Sequence, residues 1–136
     1  MRAILVCFSV FLAGCAGVEP KLVPGQSTAA DVEASMGAPA EKHQVGAETV
    51  YYYPQIPWGY RTYAARFGAD GRLIALEQRL TEDNTAKIVK GQTKQGEVRD
   101  LLGPPYEPQR VERMDRDIWT YPMRIGGSVT PKWFLV

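Results

Sequence analysis

Apolar and polar residues alternate in two recognisable rhythms along the chain. Val32 with Met36, and Val98 with Leu101 and Leu102, recur at helical spacing. Each set lies inside an eighteen-residue stretch, "LVPGQSTAADVEASMGAP" (22–39) and "IVKGQTKQGEVRDLLGPP" (88–105). The two stretches align without a gap at a constant offset of 66 positions. Val23/Val89, Gly25/Gly91, Gln26/Gln92, Val32/Val98, Gly37/Gly103 and Pro39/Pro105 are identical. This is an internal repeat, and each copy reads as a short helix. Ser27 and Thr93 are the expected N-caps, accepting from orphan amides. Asp31 and Glu97 favour the positive end of the helix dipole. Gly37 and Gly103 are expected to end the helices in a left-handed conformation, and Pro39 and Pro105 prevent continuation. Ahead of the second copy, Thr81 is placed to cap a further helix, "EDNTAKIV" (82–89), making a helix–turn–helix. The first copy has only "GVEPKL" there.

Strand rhythm follows each helix. "ETVYYYP" (48–54) is β-rich, and "YRTYAARF" (60–67) and "RLIALEQRL" (72–80) flank the turn signal "GADG" (68–71). In the second copy "QRVERM" (109–114) and "DIWTYPM" (117–123) flank "DR" (115–116), and "KWFLV" (132–136) begins another strand. Tyr53-Pro54 matches Tyr121-Pro122 at an offset of 68. The first copy continues through its GADG turn to one more strand, which the second lacks. The expected fold is therefore α+β, two tandem small units over 22–80 and 81–136, each a short helix on antiparallel strands, the second truncated. An open edge on that second sheet predicts strand addition or a homodimer.

The first residues follow neither rhythm. The apolar run Ala3–Leu12, preceded by Arg2, is too short to span a bilayer, which takes roughly 20 residues. Its length suits the hydrophobic region of a secretory signal. It ends in "LAGC" (12–15), two small residues and a cysteine, and this resembles the bacterial lipobox. The resemblance implies cleavage after Gly14 and acylation of Cys15, with residues 1–14 as the leader and 15–21 as a tether. Two or more acyl chains hold a protein stably on a membrane. Ala16 stands where an Asp marks inner-membrane retention in well-studied Gram-negative bacteria, which implies forwarding to the outer membrane, facing the periplasm.

Charge adds an exclusion. The chain carries 16 Lys+Arg against 15 Asp+Glu, and loss of Arg2 balances them. A neutral chain argues against nucleic acid as a partner. Cys7 leaves with the leader and Cys15 is acylated, so no disulfide is expected.

The pattern carried by Gly91, Gln92, Thr93, Val98, Leu101, Leu102, Gly103 and Pro105, followed by Trp119 and Tyr121, resembles the SmpA/OmlA (BamE-like) family of outer-membrane lipoproteins. Gly25, Ser27, Val32, Gly37 and Pro39 carry a weaker first copy. The tandem arrangement is also similar to the β-lactamase inhibitor protein fold. The resemblance implies a non-catalytic binding module in β-barrel outer-membrane protein assembly or envelope integrity. The alternative from a different class is an inhibitor-like or sensor module that binds a periplasmic enzyme or cell-wall component through its sheet. A fold motif identifies no partner.

No constellation for catalysis, cofactor binding or metal ligation stands out. His43 lies alone between Lys42 and Gln44. "RVERMDRD" (110–117) alternates sign and reads as a solvated hairpin face. Its functional reading makes Arg110, Arg113 and Arg116 contacts for a lipid phosphate or an acidic partner. The aromatics are denser: Tyr51, Tyr52, Tyr53, Trp58, Tyr60 and Tyr63 lie close together. Alternation places Tyr51 and Tyr53 on one strand face and Tyr52 on the other, one face core and one exposed. Exposed Tyr and Trp are typical of binding surfaces. The partner-binding candidates are Trp58, Tyr60, Tyr51, Tyr53 and Arg113, with the loop "PQIPWGY" (54–60) preferred. The opposing possibility is that Trp58 folds back over a thin core.

Overall fold

The computed structural model describes residues 21–128, 130 and 132–136. The leader, Cys15 and residues 16–20 of the tether lie outside them. Helix α1 (Ala29–Met36) precedes strands β1 (Glu41–Val45), β2 (Glu48–Pro54), β3 (Thr62–Phe67) and β4 (Leu73–Gln78). Helices α2 (Glu82–Ala86) and α3 (Gln95–Leu102) then precede β5 (Glu107–Val111), a 3-10 turn (Glu112–Met114), β6 (Arg116–Met123) and β7 (Lys132–Leu135). The fold is α+β with two antiparallel meanders, ordered β1-β2-β3-β4 and β5-β6-β7. Among the described residues, no helix is long and apolar enough to cross a membrane.

The repeat is repeated in atoms. Ser27 Oγ accepts from the Val23 amide at 2.9 Å, and Thr93 Oγ1 accepts from the Val89 amide at 2.8 Å. Gly25 and Gly91 take φ of 79° and 76°. Ser27 and Thr93 therefore stitch the preceding turn and are not the N-caps. Capping falls one residue later. Thr28 caps α1, accepting from the Asp31 amide, and its own amide donates to Asp31 Oδ2 at 2.7 Å, a full capping box. Lys94 occupies the same place on α3 and has no acceptor, so only the return bond survives: its amide donates to Glu97 Oε2 at 2.6 Å. Both helices end at a glycine with φ 83° and extended ψ, −171° at Gly37 and −169° at Gly103. The positive φ is as expected, but the extended ψ lies outside the left-handed helical region, where only glycine is at ease.

Other elements differ in detail from the sequence pattern. Helix α2 stops at Ala86, where 82–89 was expected, although Thr81 does cap it, accepting from the Asn84 amide at 3.2 Å. The turn expected at 115–116 is a 3-10 turn over Glu112–Met114 ending at Asp115 with φ 50°. β1 was not foreseen. It is an edge strand of Glu41, Lys42, His43, Gln44 and Val45, paired to β2 with His43 opposite Val50. In it, charge hides the alternation.

Both faces of the first sheet carry buried residues. On one, Tyr53, Ala65, Phe67 and Leu73 pack with Val32 of α1, flanked by Met36, Tyr51 and Tyr63. On the other, Tyr52, Val50 and Ala64 form a second cluster. That face receives the end of α3: a Cβ on Gly103 would stand 2.7 Å from Thr62 Cγ2 and 3.2 Å from Tyr52 Cδ1. Arg99 of α3 grips Glu41 of β1 with two bonds of 2.8 and 2.6 Å. The opposite flank of α3 belongs to the second core, where Val98 and Leu102 pack with Leu80, Trp119, Tyr121 and Met123, and Ile56 joins from the first unit. Tyr121 Oη donates to the Gly103 carbonyl at 3.1 Å within this core.

Candidate interaction surface

The β2–β3 connection is the most exposed aromatic feature. It leaves the sheet at Pro54 and returns at Thr62. Its neck is closed by the Gln55 amide, which donates to the Arg61 carbonyl at 2.8 Å. Ile56 is held against the second core. Tyr60 takes φ 48°, and the Arg124 guanidinium sits 5.9 Å from its ring centroid. Gly59 is so close to Gln55 that a Cβ would come within 2.9 Å of Gln55 Cβ. Between these fixed points Trp58 is 92% exposed. The indole does not fold back over the core.

The other aromatic candidates are placed differently. Tyr53 is buried beneath α1, and burial pushes its phenol up from its ordinary pKa. Tyr51 is half-buried, its ring 4.8 Å from that of Phe67 and covered by the Lys42 ammonium at 4.3 Å. Tyr52, on the opposite face, is buried as well. The expected exposed tyrosine face of β2 does not exist, because α1 covers one side and the end of α3 the other. Tyr51 and Tyr53 are packing residues, and the surface candidates that remain are Trp58, half-buried Tyr60 and Arg113.

Arg113 is exposed in the 3-10 turn, as is Arg116 at the start of β6. Arg110 is not free for a ligand. Its guanidinium pairs with Asp115 and with Asp117, the latter at 3.2 Å. The alternating run is therefore a hairpin that largely neutralises itself.

Charge is more organised across β1–β4. Arg66 bridges Glu48 at 2.7 Å and Glu77 at 3.4 Å, and Arg79 holds Glu77 at 3.0 Å. The Glu48 carboxylate holds the Arg66 guanidinium even more firmly protonated than usual. His43 sits 3.9 Å from Glu41 and 4.0 Å from Asp100. Arg66, Arg79, Glu48 and Glu77 compensate one another and are partly exposed, which suits a structural network. Among the described residues, no group of three or more His, Cys, Asp or Glu side chains is arranged to hold a metal ion.

No family model matches the chain, and neither a curated protein nor a solved structure matches it.

Proposed function

We propose that the chain is an outer-membrane lipoprotein, anchored through acyl chains on Cys15 and facing the periplasm, that acts by binding and without catalysis. The process it serves is β-barrel outer-membrane protein assembly or the upkeep of the envelope. The observation that carries the binding role is Trp58, held out at the tip of a loop whose neck and flanks are pinned. A preorganised exposed Trp loses little freedom on binding and is the residue type most enriched at interface hot spots. The anchor rests on the "LAGC" order at 12–15.

The test is a crosslinked pull-down of the acylated protein from mildly solubilised outer membranes, with captured proteins identified by mass spectrometry. Recovery of barrel-assembly components, lost in Trp58→Ala, supports the proposal. Recovery of a periplasmic enzyme or peptidoglycan in their place refutes the assembly role. Metabolic labelling with a fatty acid checks the anchor: Cys15→Ser must lose the label and the membrane association.

A further inference from the structure

Trp, Tyr and Arg are the side chains most enriched where binding energy concentrates. All three meet around the β2–β3 connection. Trp58 stands out from it, 92% exposed. Arg61 follows at the neck of the loop and is exposed as well. Between them in sequence lies half-buried Tyr60, with the exposed Arg124 guanidinium 5.9 Å from its ring centroid. Arg124 comes directly after β6, so this surface draws on both units.

The backbone holds this arrangement against its own preference. Tyr60 takes φ 48°, a conformation that glycine adopts freely and a bulky residue does not. A glycine there would forfeit the ring over which the Arg124 guanidinium lies. The strained position thus keeps an aromatic–cation pair at the surface, and strain of this kind gathers where ligands are contacted.

The two cations lack carboxylate partners. Lys42, Arg66, Arg79, Arg99 and Arg110 each hold one, whereas among the described residues Arg61 and Arg124 hold none. Neither 54–61 nor 123–128 contains an acidic residue. Glu82 reaches the second stretch, and its carboxylate accepts from the Gly126 amide at 2.5 Å. The loop therefore offers an apolar indole with a positive rim.

Arginine suits carboxylates, which its planar fork binds through paired hydrogen bonds. Trp, Tyr and Arg also suit the headgroups of a bilayer, but the placement of the loop favours protein. Leu22 packs in the core with Phe67 and Leu73, and the Gly25 amide and the Ser27 carbonyl both bond Leu73. The residues that follow the tether thus join the sheet at the Phe67 end of β3. The aromatic loop leaves from the Thr62 end, five residues along that strand, or about 17 Å. An anchor on Cys15 draws the Phe67 end toward the bilayer and turns Trp58 away from it. We propose that Trp58, Tyr60, Arg61 and Arg124 form one docking surface for a protein that presents carboxylates around an apolar pocket. The indole fills the pocket, and the two guanidinium groups pair with its acidic rim. This gives the partner's chemistry and rests on Trp58 being the binding residue of the function proposed above.

Photo-crosslinking tests this in cells that express the full chain. The probe is p-benzoylphenylalanine in place of exposed Gln55, which leaves the four docking residues intact, and adducts are identified by mass spectrometry. The expected product is a protein crosslinked at a segment rich in Asp or Glu. Its yield should fall at least about tenfold when Arg61→Glu and Arg124→Glu are combined, because like charges then face each other. Trp58→Ala should lower it as well, and Arg61→Lys with Arg124→Lys, which keeps the sign, should lose less than the reversal. Circular dichroism checks the fold of each variant; if the double reversal unfolds, each single reversal must still lower the yield. A phospholipid or peptidoglycan adduct, no adduct, or a protein adduct indifferent to charge reversal overturns the proposal. The anchor is read separately by fatty-acid labelling. An acidic-protein adduct from a chain that carries no acyl label refutes the anchor and leaves this surface standing, and a phospholipid adduct from an acylated chain does the reverse.

Discussion

Gly37 and Gly103 end their helices with the same backbone conformation, and only one of them is load-sharing between the units. This makes a matched pair of substitutions. An alanine at either position must hold φ near 83° with an extended ψ, at a cost of roughly 1–3 kcal/mol for a non-glycine residue. At Gly37 the new Cβ meets nothing within 4 Å, so the conformational cost is the whole effect. At Gly103 it falls 2.7 Å from Thr62 Cγ2 and 3.2 Å from Tyr52 Cδ1, both on fully or nearly fully buried residues. Forcing a methyl into such packing adds about 1–3 kcal/mol. Gly103→Ala is therefore expected to lose about 1–3 kcal/mol more than Gly37→Ala, which for a chain of this size is a further drop of roughly 4–12 °C in Tm. The assay is guanidinium denaturation followed by circular dichroism, with Tm as a second readout. The closer of the two contacts is to one atom of Thr62, so the clash can be relieved in part. Thr62→Ser removes Cγ2, and in that background Gly103→Ala must cost less than in the parent, while Gly37→Ala must cost the same. Equal losses at the two glycines, or no relief from Thr62→Ser, would refute the placement of α3 on the face of the first sheet.

Three further outcomes are expected. Trp58→Ala should change stability by no more than about 0.5 kcal/mol, since the side chain is almost wholly exposed; a larger loss in the same denaturation assay would show that the indole supports the fold. Tyr121→Phe should cost about 0.5–1.5 kcal/mol by removing the buried bond to the Gly103 carbonyl, read from the denaturation midpoint. The backbone and hydroxyl bonds from Thr28 lower the Asp31 pKa below its ordinary 3.8. A depressed folded-state pKa contributes stability that is present above the unfolded value and lost as pH falls through the folded one. Asp31→Asn should therefore shrink the stability difference between pH 7 and strongly acidic solution, and an unchanged pH profile would remove Asp31 from the capping box.

Much of the fold was legible because local chemistry decides it. The stretch 48–54 is β2 residue for residue, and both helices end where their glycines stand. The repeat was visible as letters before it was visible as matching turns at Gly25 and Gly91. The α1 N-cap was misplaced by one residue because Ser27 and Thr28 are both good acceptors, and the box formed by Thr28 with Asp31 decides between them; at α3 the cap position falls on Lys94, which has no acceptor, so nothing local marked it against Thr93. β1 escaped notice because an edge strand with one solvated side can be built from Glu, Lys, His and Gln. The tyrosines show the deeper limit. Period-two alternation correctly separated Tyr51 and Tyr53 from Tyr52, but no local signal says that a helix more than forty residues later will cover the second face. The only residue that hinted at it is Gly103, whose lack of a side chain admits Tyr52, and in sequence it looks the same as Gly37. At the candidate surface, "PQIPWGY" announced a loop with a Trp. That the Trp stands clear depends on Ile56 being held elsewhere, which is a tertiary fact.

The double duty of α3 bears on how the chain unfolds. Val98 and Leu102 belong to one core while Gly103 and Arg99 close over the other, so neither half can be melted or excised while its neighbour stays intact. A break between Leu80 and Thr81 would leave Val50, Tyr52 and Ala64 facing water on one fragment and strip Ile56 from the other. Two halves related by repetition are in this sense a single cooperative body, and half-chains made separately would be expected to seek each other out or to aggregate.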